Sequence, residues 1–227
     1  MKSFQNLIIV TLTIFAFSVN AQKVLDLSKF DEIIASGDVE VVLQQGETSE
    51  VQVYANGHDE QDIKIHVNEG ILKINLLKSL IKSQDRGVKV VVTFKKINRI
   101  KAYAGAEVEC SGTITTSRLQ IRLNSGAEMY VNVEVDDLEI VVSEGSQLEI
   151  KGSTKSMDVR TSSGGICEAF NLECDYTYVT SNTGGEAEVV AKKRIEAKAN
   201  TGGRVEYKGQ PEDTKISDFL TGTVKRI

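Results

Sequence analysis

The stretch Thr161-Ser162-Ser163-Gly164-Gly165-Ile166-Cys167-Glu168-Ala169 recurs, with changes, as Ser181-Asn182-Thr183-Gly184-Gly185-Glu186-Ala187-Glu188-Val189 and Ala199-Asn200-Thr201-Gly202-Gly203-Arg204-Val205-Glu206-Tyr207. Upstream, Gly145-Ser146, Gly126-Ala127 and Gly105-Ala106 carry the same frame. Successive first glycines lie 21, 19, 19, 20 and 18 residues apart. A fixed period near twenty, with apolar and polar residues alternating around each pair, predicts a solenoid.

The alternation sorts the residues. With the first glycine as position zero, Val108, Met129, Leu148, Cys167, Ala187 and Val205 stand three residues later. Cys110, Val131, Ile150, Ala169, Val189 and Tyr207 stand five later, and Ile100, Ile121, Ile140, Val159, Val179 and Ala197 five before. In an extended chain these share one face and are expected to point inward. The even positions are expected to point outward. Four after zero come Glu109, Tyr130, Glu149, Glu168, Glu188 and Glu206; four before come Lys101, Arg122, Val141, Arg160, Thr180 and Lys198. Glycine at zero permits the positive φ of a tight bend.

The frame extends further, to Ser36-Gly37-Asp38-Val39-Glu40-Val41 near one end and Thr221-Gly222-Thr223-Val224 near the other. Equal coils stacked in register pair each strand with its copy above, in parallel, and parallel crossovers are right-handed. The expected fold is therefore all-β, a right-handed parallel β-helix with coils of roughly 20 residues. A leucine-rich repeat lacks support, because regular leucines and an asparagine ladder are missing. An antiparallel sandwich also suits strands every ten residues, but it does not account for columns registered six times over. Connectors Ser111 to Arg118, Asn132 to Asp137, Lys151 to Ser156 and Val190 to Arg194 differ, so one corner absorbs insertions. Thr161, Ser163, Ser181, Thr183, Ala199 and Thr201 fall at nominally inward positions and suggest a narrow corner.

Ahead of the repeats, Val51–Ala55, Ile63–Val67, Ile71–Leu76 and Val88–Phe94 read as strands. His66-Val67-Asn68-Glu69-Gly70-Ile71 reads as a hairpin turn. Leu76 to Ile81 suits a helical turn or a loop. This irregular segment is expected to cap one end of the solenoid. The Lys208–Thr214 loop with Pro211, and Lys225-Arg226, are placed to cover the other.

Residues 1–21 read as a secretory signal peptide: Lys2, an apolar run from Leu7 to Val19, then Val19-Asn20-Ala21 as the cleavage signal. No cysteine stands at that cut, so no lipid anchor is indicated, and no further stretch suits a membrane span. Residues 22–227 form the single expected domain. A net charge of −5 argues against a nucleic-acid partner. Cys110 and Cys167 fall on the inward face as small hydrophobes, and a Cys167–Cys174 bridge is an alternative in an oxidising compartment.

Chemistry-bearing motifs are scarce. His58 and His66 stand in no metal-ligand spacing, and no nucleophile elbow, phosphate loop or metalloprotease helix occurs. No cofactor is indicated. The one candidate is the outward column Glu149, Glu168, Glu188 and Glu206. Like charges about 5 Å apart repel by roughly 0.8 kcal/mol in water, and a cation would relieve that. The alternative is a solvated face that keeps the protein soluble. The second view is favoured, since the basic column repeats as regularly as the acidic one.

Phe30-x-x-Ile33-x-x-Ser36-Gly37 and Val39-x-Val41-x-Leu43-x-Gln45-Gly46, followed by Gly70-x-Leu72-x-Ile74 and Ile97-x-x-Ile100-x-x-x-Gly105-Ala106, carry a family likeness. With the row of Ser/Thr-Gly-Gly coils, the region from Leu27 to Gly222 resembles the auto-transporter adhesin, head GIN domain family. The resemblance implies an exported β-helical domain of the Bacteroidetes group, residing in the periplasm, on the outer surface or in the medium. It implies adhesion and brings no catalytic residue; the partner expected here is a surface glycan or an envelope protein. The resulting expectation is an adhesin-like or structural protein without catalysis, open to homo-oligomerisation through an end or a flank. The competing expectation is a pectinase-like lyase or hydrolase acting through the stacked carboxylates.

Overall fold

The computed structural model describes residues 22–27, 29–56, 62–77 and 87–227. Residues 1–21, read from the sequence as a signal peptide, and most of the Leu76–Ile81 segment lie outside the described residues. The first strands are β1 (Gln22–Asp26), β2 (Glu32–Ser36), β3 (Glu40–Gln45), β4 (Glu50–Asn56), β5 (Ile63–Asn68), β6 (Ile71–Leu76), β7 (Gly87–Phe94) and β8 (Arg99–Tyr103). Four long strands follow: β9 (Glu107–Asn124), β10 (Glu128–Ser143), β11 (Gln147–Ser162) and β12 (Ile166–Asn182). Shorter ones complete the chain: β13 (Glu186–Val190), β14 (Arg194–Asn200), β15 (Arg204–Lys208), β16 (Asp213–Phe219) and β17 (Thr223–Arg226).

The chain is a parallel β-solenoid. From β8 onward every strand pairs in parallel with the equivalent strand one coil away. The pairing excludes the antiparallel sandwich. Register partners such as Glu128 and Gln147, or Glu186 and Arg204, carry the sequence period into space. One sheet precedes each glycine turn and the other follows it, and the inward columns fill the space between. Ile100, Ile121, Ile140, Val159, Val179 and Ala197 are all buried, as are Val108, Met129, Leu148, Cys167, Ala187 and Val205. Cys110 departs from this pattern and is only half-buried, because the strand bulges there.

The turn uses both glycines of a pair, for different reasons. The residue before zero and the residue at zero are both left-handed, as in Thr183 (φ 49) and Gly184 (φ 70). The next N–H closes the turn, Gly185 donating to the Asn182 carbonyl at 2.9 Å. At zero, glycine serves conformation, and a Cβ would meet open space. One residue later it serves packing: a Cβ on Gly203 would stand 2.2 Å from the Ser181 carbonyl oxygen in the coil below. The two sheets approach here as the core tapers, from Leu123 and Val142 to Thr161, Ser181 and Ala199. Thr161 and Ser181 are buried, and Thr161 Oγ1 donates to Ser181 Oγ at 2.9 Å. Ser163, Thr183 and Thr201, expected inward with them, are instead exposed turn residues with positive φ.

The N-terminal segment is threaded out of order. β2 lies between β6 and β8, and β3 between β7 and β9. The coil written first thus sits second, with the β6–β7 coil outside it. Ile33 packs between its register partners Leu72 and Ile100, all three fully buried. The cap is antiparallel: β5 folds back on β6, β4 on β7, and β1 on β4. The β5–β6 hairpin turns at Glu69 and Gly70, both with positive φ, at the place the sequence marks.

The opposite end is not covered in the expected way. Every residue of β16 is exposed, and Ile216 (44%), Phe219 (64%), Leu220 (72%) and Ile227 (50%) stand at the surface. Pro211 and the Lys225-Arg226 pair leave the residues of β16 exposed.

Candidate functional site: an acidic column and a corner groove

Parallel register brings the predicted carboxylates together. Glu149 pairs with Glu168, Glu168 with Glu188, and Glu188 with Glu206. Each alternates with buried residues, as Glu188 does between Ala187 and Val189, which holds the column outward on the sheet after the turn. Burial raises the affinity of Glu188 for a proton, and Glu168 and Glu206 raise it further against the pull of Lys208 and Arg204. Glu107, with Glu109, Glu128 and Glu40 around it, is raised for the same reasons. Glu206 is paired, with Arg204 Nη2 at 2.7 Å. These side chains leave neighbouring strands side by side rather than converging. Among the described residues no three His, Cys, Asp or Glu side chains are grouped to hold a metal ion.

A hollow of about 370 Å³ lies beside Glu109, Tyr130 and Glu149 of the outward column, and a larger one lies at the length-variable corner. Between Glu149 and Lys151 stands one residue, whereas the paired stretch from Glu168 to Asn171 holds two, and the excess is taken up as a bulge. The stretch from Glu109 to Thr113 bulges against Tyr130–Asn132 in the same way. Beyond the bulges, the segments leading to the next corner line a groove of about 580 Å³. Its walls carry Thr115, Ser117, Glu134, Asp136, Ser153, Lys155, Glu173, Asp175 and Lys192, and Val135, Thr154 and Cys174 lie beneath.

Charge in the groove alternates from coil to coil. Lys155 Nζ lies 2.5 Å from Asp136, Lys192 Nζ 2.8 Å from Glu173, and Lys193 Nζ 2.7 Å from Asp175. The carboxylates push the Lys155 and Lys193 ammonium groups up, the direction opposite to what a catalytic base at neutral pH requires. Glu134 makes no ion pair among the described residues and is left as an acceptor. Thr116 Oγ1, buried in the wall, has no hydrogen-bond partner there either. Tyr176, next in the chain to Asp175 of the groove, is exposed, with Lys193 Nζ 5.7 Å from its ring centre. The arrangement is dense in hydrogen-bond acceptors and hydroxyls, with one flat aromatic edge.

Cys110, Cys167 and Cys174 are all free, so the possible Cys167–Cys174 bridge is not formed. Burial pushes Cys167 up to about 12 and Cys110 up to about 11. Cys174 Sγ donates to the Tyr176 carbonyl at 3.3 Å and lies under the groove. The connectors read from the sequence as the variable corner hold most of the groove residues, while Glu173, Cys174 and Asp175 fall outside them. The available signal was the polar run Thr115-Thr116-Ser117, Asp136-Asp137, Ser153-Thr154-Lys155 and Lys192-Lys193 at one place in successive coils.

The family model "Putative auto-transporter adhesin, head GIN domain" matches residues 29–211. Among solved structures, a "putative adhesin" from Bacteroides fragilis NCTC 9343 superposes with a TM-score of 0.84 at 20% identity, covering 91% of this chain and 96% of that one. A "putative adhesin" from Parabacteroides distasonis ATCC 8503 gives 0.71 at 23% identity, over 91% and 96%. A "Putative lipid binding protein" from the same organism gives 0.71 at 18%, over 91% and 96%. At these identities the likeness carries the fold alone. No curated protein matches the chain.

Proposed function

The chain belongs to the auto-transporter adhesin, head GIN domain family, and from that premise we propose that it is an exported binding protein that holds a cell-surface glycan in its corner groove. The observation that carries this reading is the groove itself. Its volume suits a small oligosaccharide. Its walls offer Glu134 as a free acceptor, with the Ser153 and Thr115 hydroxyls beside it. Sugar hydroxyls need such paired donors and acceptors, and the apolar face of a sugar ring stacks on an exposed aromatic such as Tyr176. The groove lies on connectors, while the strands supply a rigid frame, which is the usual division between recognition and scaffold.

A glycan array followed by calorimetry on the best ligand tests the proposal. Glu134→Ala and Tyr176→Ala are each expected to weaken binding by about tenfold, roughly 1.4 kcal/mol, with the strand signal in circular dichroism unchanged. Binding that survives both changes but is lost in Glu168→Gln would move the site to the acidic sheet and overturn the groove.

A further inference from the structure

The open end of the solenoid carries a pattern of its own. Register on buried Ile195, Ala197 and Ala199 shows that Thr214, Ile216 and Asp218 of β16 stand on the inward face, and register on Tyr207 places Arg226 of β17 there too. A core position thus holds an acid near the glycine turn and a base at the far side of the same coil. The edges of β16 and β17 beyond this coil have no strand partner among the described residues. Ile216 and Leu220 are exposed beside them.

We propose that this end docks on the same end of a second copy, related by a two-fold axis across the solenoid. Such an axis runs β16 antiparallel to its counterpart with Ile216 near the centre. It reverses the coil, so that Asp218 of each copy comes level with Arg226 of the other. Two ion pairs then form across an apolar centre, and the free strand edges find partners. The same charges stop further growth. Inward charges on an edge strand oppose plain continuation of a core. The other end of the molecule presents antiparallel hairpins, not a parallel coil, so head-to-tail stacking meets no matching surface. The inference is independent of the glycan reading, since it uses no residue of the groove.

Sedimentation equilibrium of the purified protein tests it. A dimer is expected for the natural sequence. Asp218→Arg or Arg226→Asp alone is expected to raise the dissociation constant by about tenfold or more, because each opposes like charges at both sites. The double reversal, Asp218→Arg with Arg226→Asp, is expected to restore it to within a few-fold. All of these residues are exposed in the single chain, so the variants fold. A monomer at every concentration, a dimer indifferent to the single reversals, a double variant no tighter than the singles, or a ladder of larger species would each overturn the proposal.

Discussion

On the sheet before the glycine turn, Glu32 lies 2.8 Å from Arg99 and 2.7 Å from Lys101, Arg160 meets Asp158 and Glu139, and Glu196 meets Lys198 and Lys215. On the sheet after it, Glu149, Glu168 and Glu188 have one another for register neighbours and no ion pair among the described residues. Both sheets stand on the same core and alternate in the same way. The difference lies in what repetition does to charge. A repeat stacks like on like, so a glutamate kept at one position becomes a column of negative charge. The first sheet escapes because its neighbouring columns carry opposite signs and drift from coil to coil. Burial opposes the Glu32 charge, but its pairs with Lys101 and Arg99 outweigh that and hold its carboxyl below the usual range, whereas Glu188 is pushed above it.

The comparison is broken most severely where the two sheets meet. Gly203→Ala sets a methyl against the Ser181 carbonyl at 2.2 Å and is expected to cost about 3 kcal/mol in urea denaturation. Gly202→Ala, with φ 76 but no close atom, is expected to cost only about 1 kcal/mol. Next comes the paired sheet. Glu32→Ala leaves Arg99 and Lys101 without their shared carboxylate and is expected to cost about 2 kcal/mol, less than a fully buried pair because both cations reach solvent. On the acidic sheet the sign reverses. Glu188→Lys places a cation between Glu168 and Glu206 and is expected to stabilise by about 0.5 kcal/mol at low salt, an advantage that added salt removes.

The smallest effect is one of pH. Glu32 contributes stability present above its unfolded value, near 4.5, and lost as pH falls through its lower folded value. Glu188 and Glu107 take up protons more readily folded than unfolded, so their cost is full above the raised value and fades as pH falls through it. The melting temperature is therefore expected to rise slightly from about pH 7 to about pH 5 and to fall below about pH 4. Glu188→Gln should flatten the rise, and a rise that persists in that variant would count against the column as its source.

The solenoid was legible because periodicity samples each position six times. Val108 alone says little, but Val108, Met129, Leu148, Cys167, Ala187 and Val205 together declare an inward column, and all are buried. The acidic column was legible for the same reason. The threading of β2 and β3 was not, and the frame read at Ser36-Gly37 is two residues out, since Val41 rather than Val39 pairs with Val108. Gly37 requires its glycine because Leu76, from the coil outside it, would lie 2.5 Å from a Cβ, a contact no local pattern announces. The need for glycine at Gly165, Gly185 and Gly203 was not legible either, because packing against the coil below leaves no mark within one repeat. The groove stayed hidden because its residues vary in kind, Thr115, Glu134, Ser153 and Glu173, and share only their place.

That threading has a consequence for the order in which the protein assembles. Contacts between β10 and β11 join residues 19 apart, whereas the Arg99–Glu32 pair that helps close the head joins residues 67 apart. Short loops close with less entropy lost, and local contacts form sooner. The central coils, β9 to β12, are thus expected to act as the template, with β2 clamped last between β6 and β8. The end that emerges first from the ribosome is then the end that folds last, an order pulsed hydrogen exchange would read directly in the amides of β2 and β11.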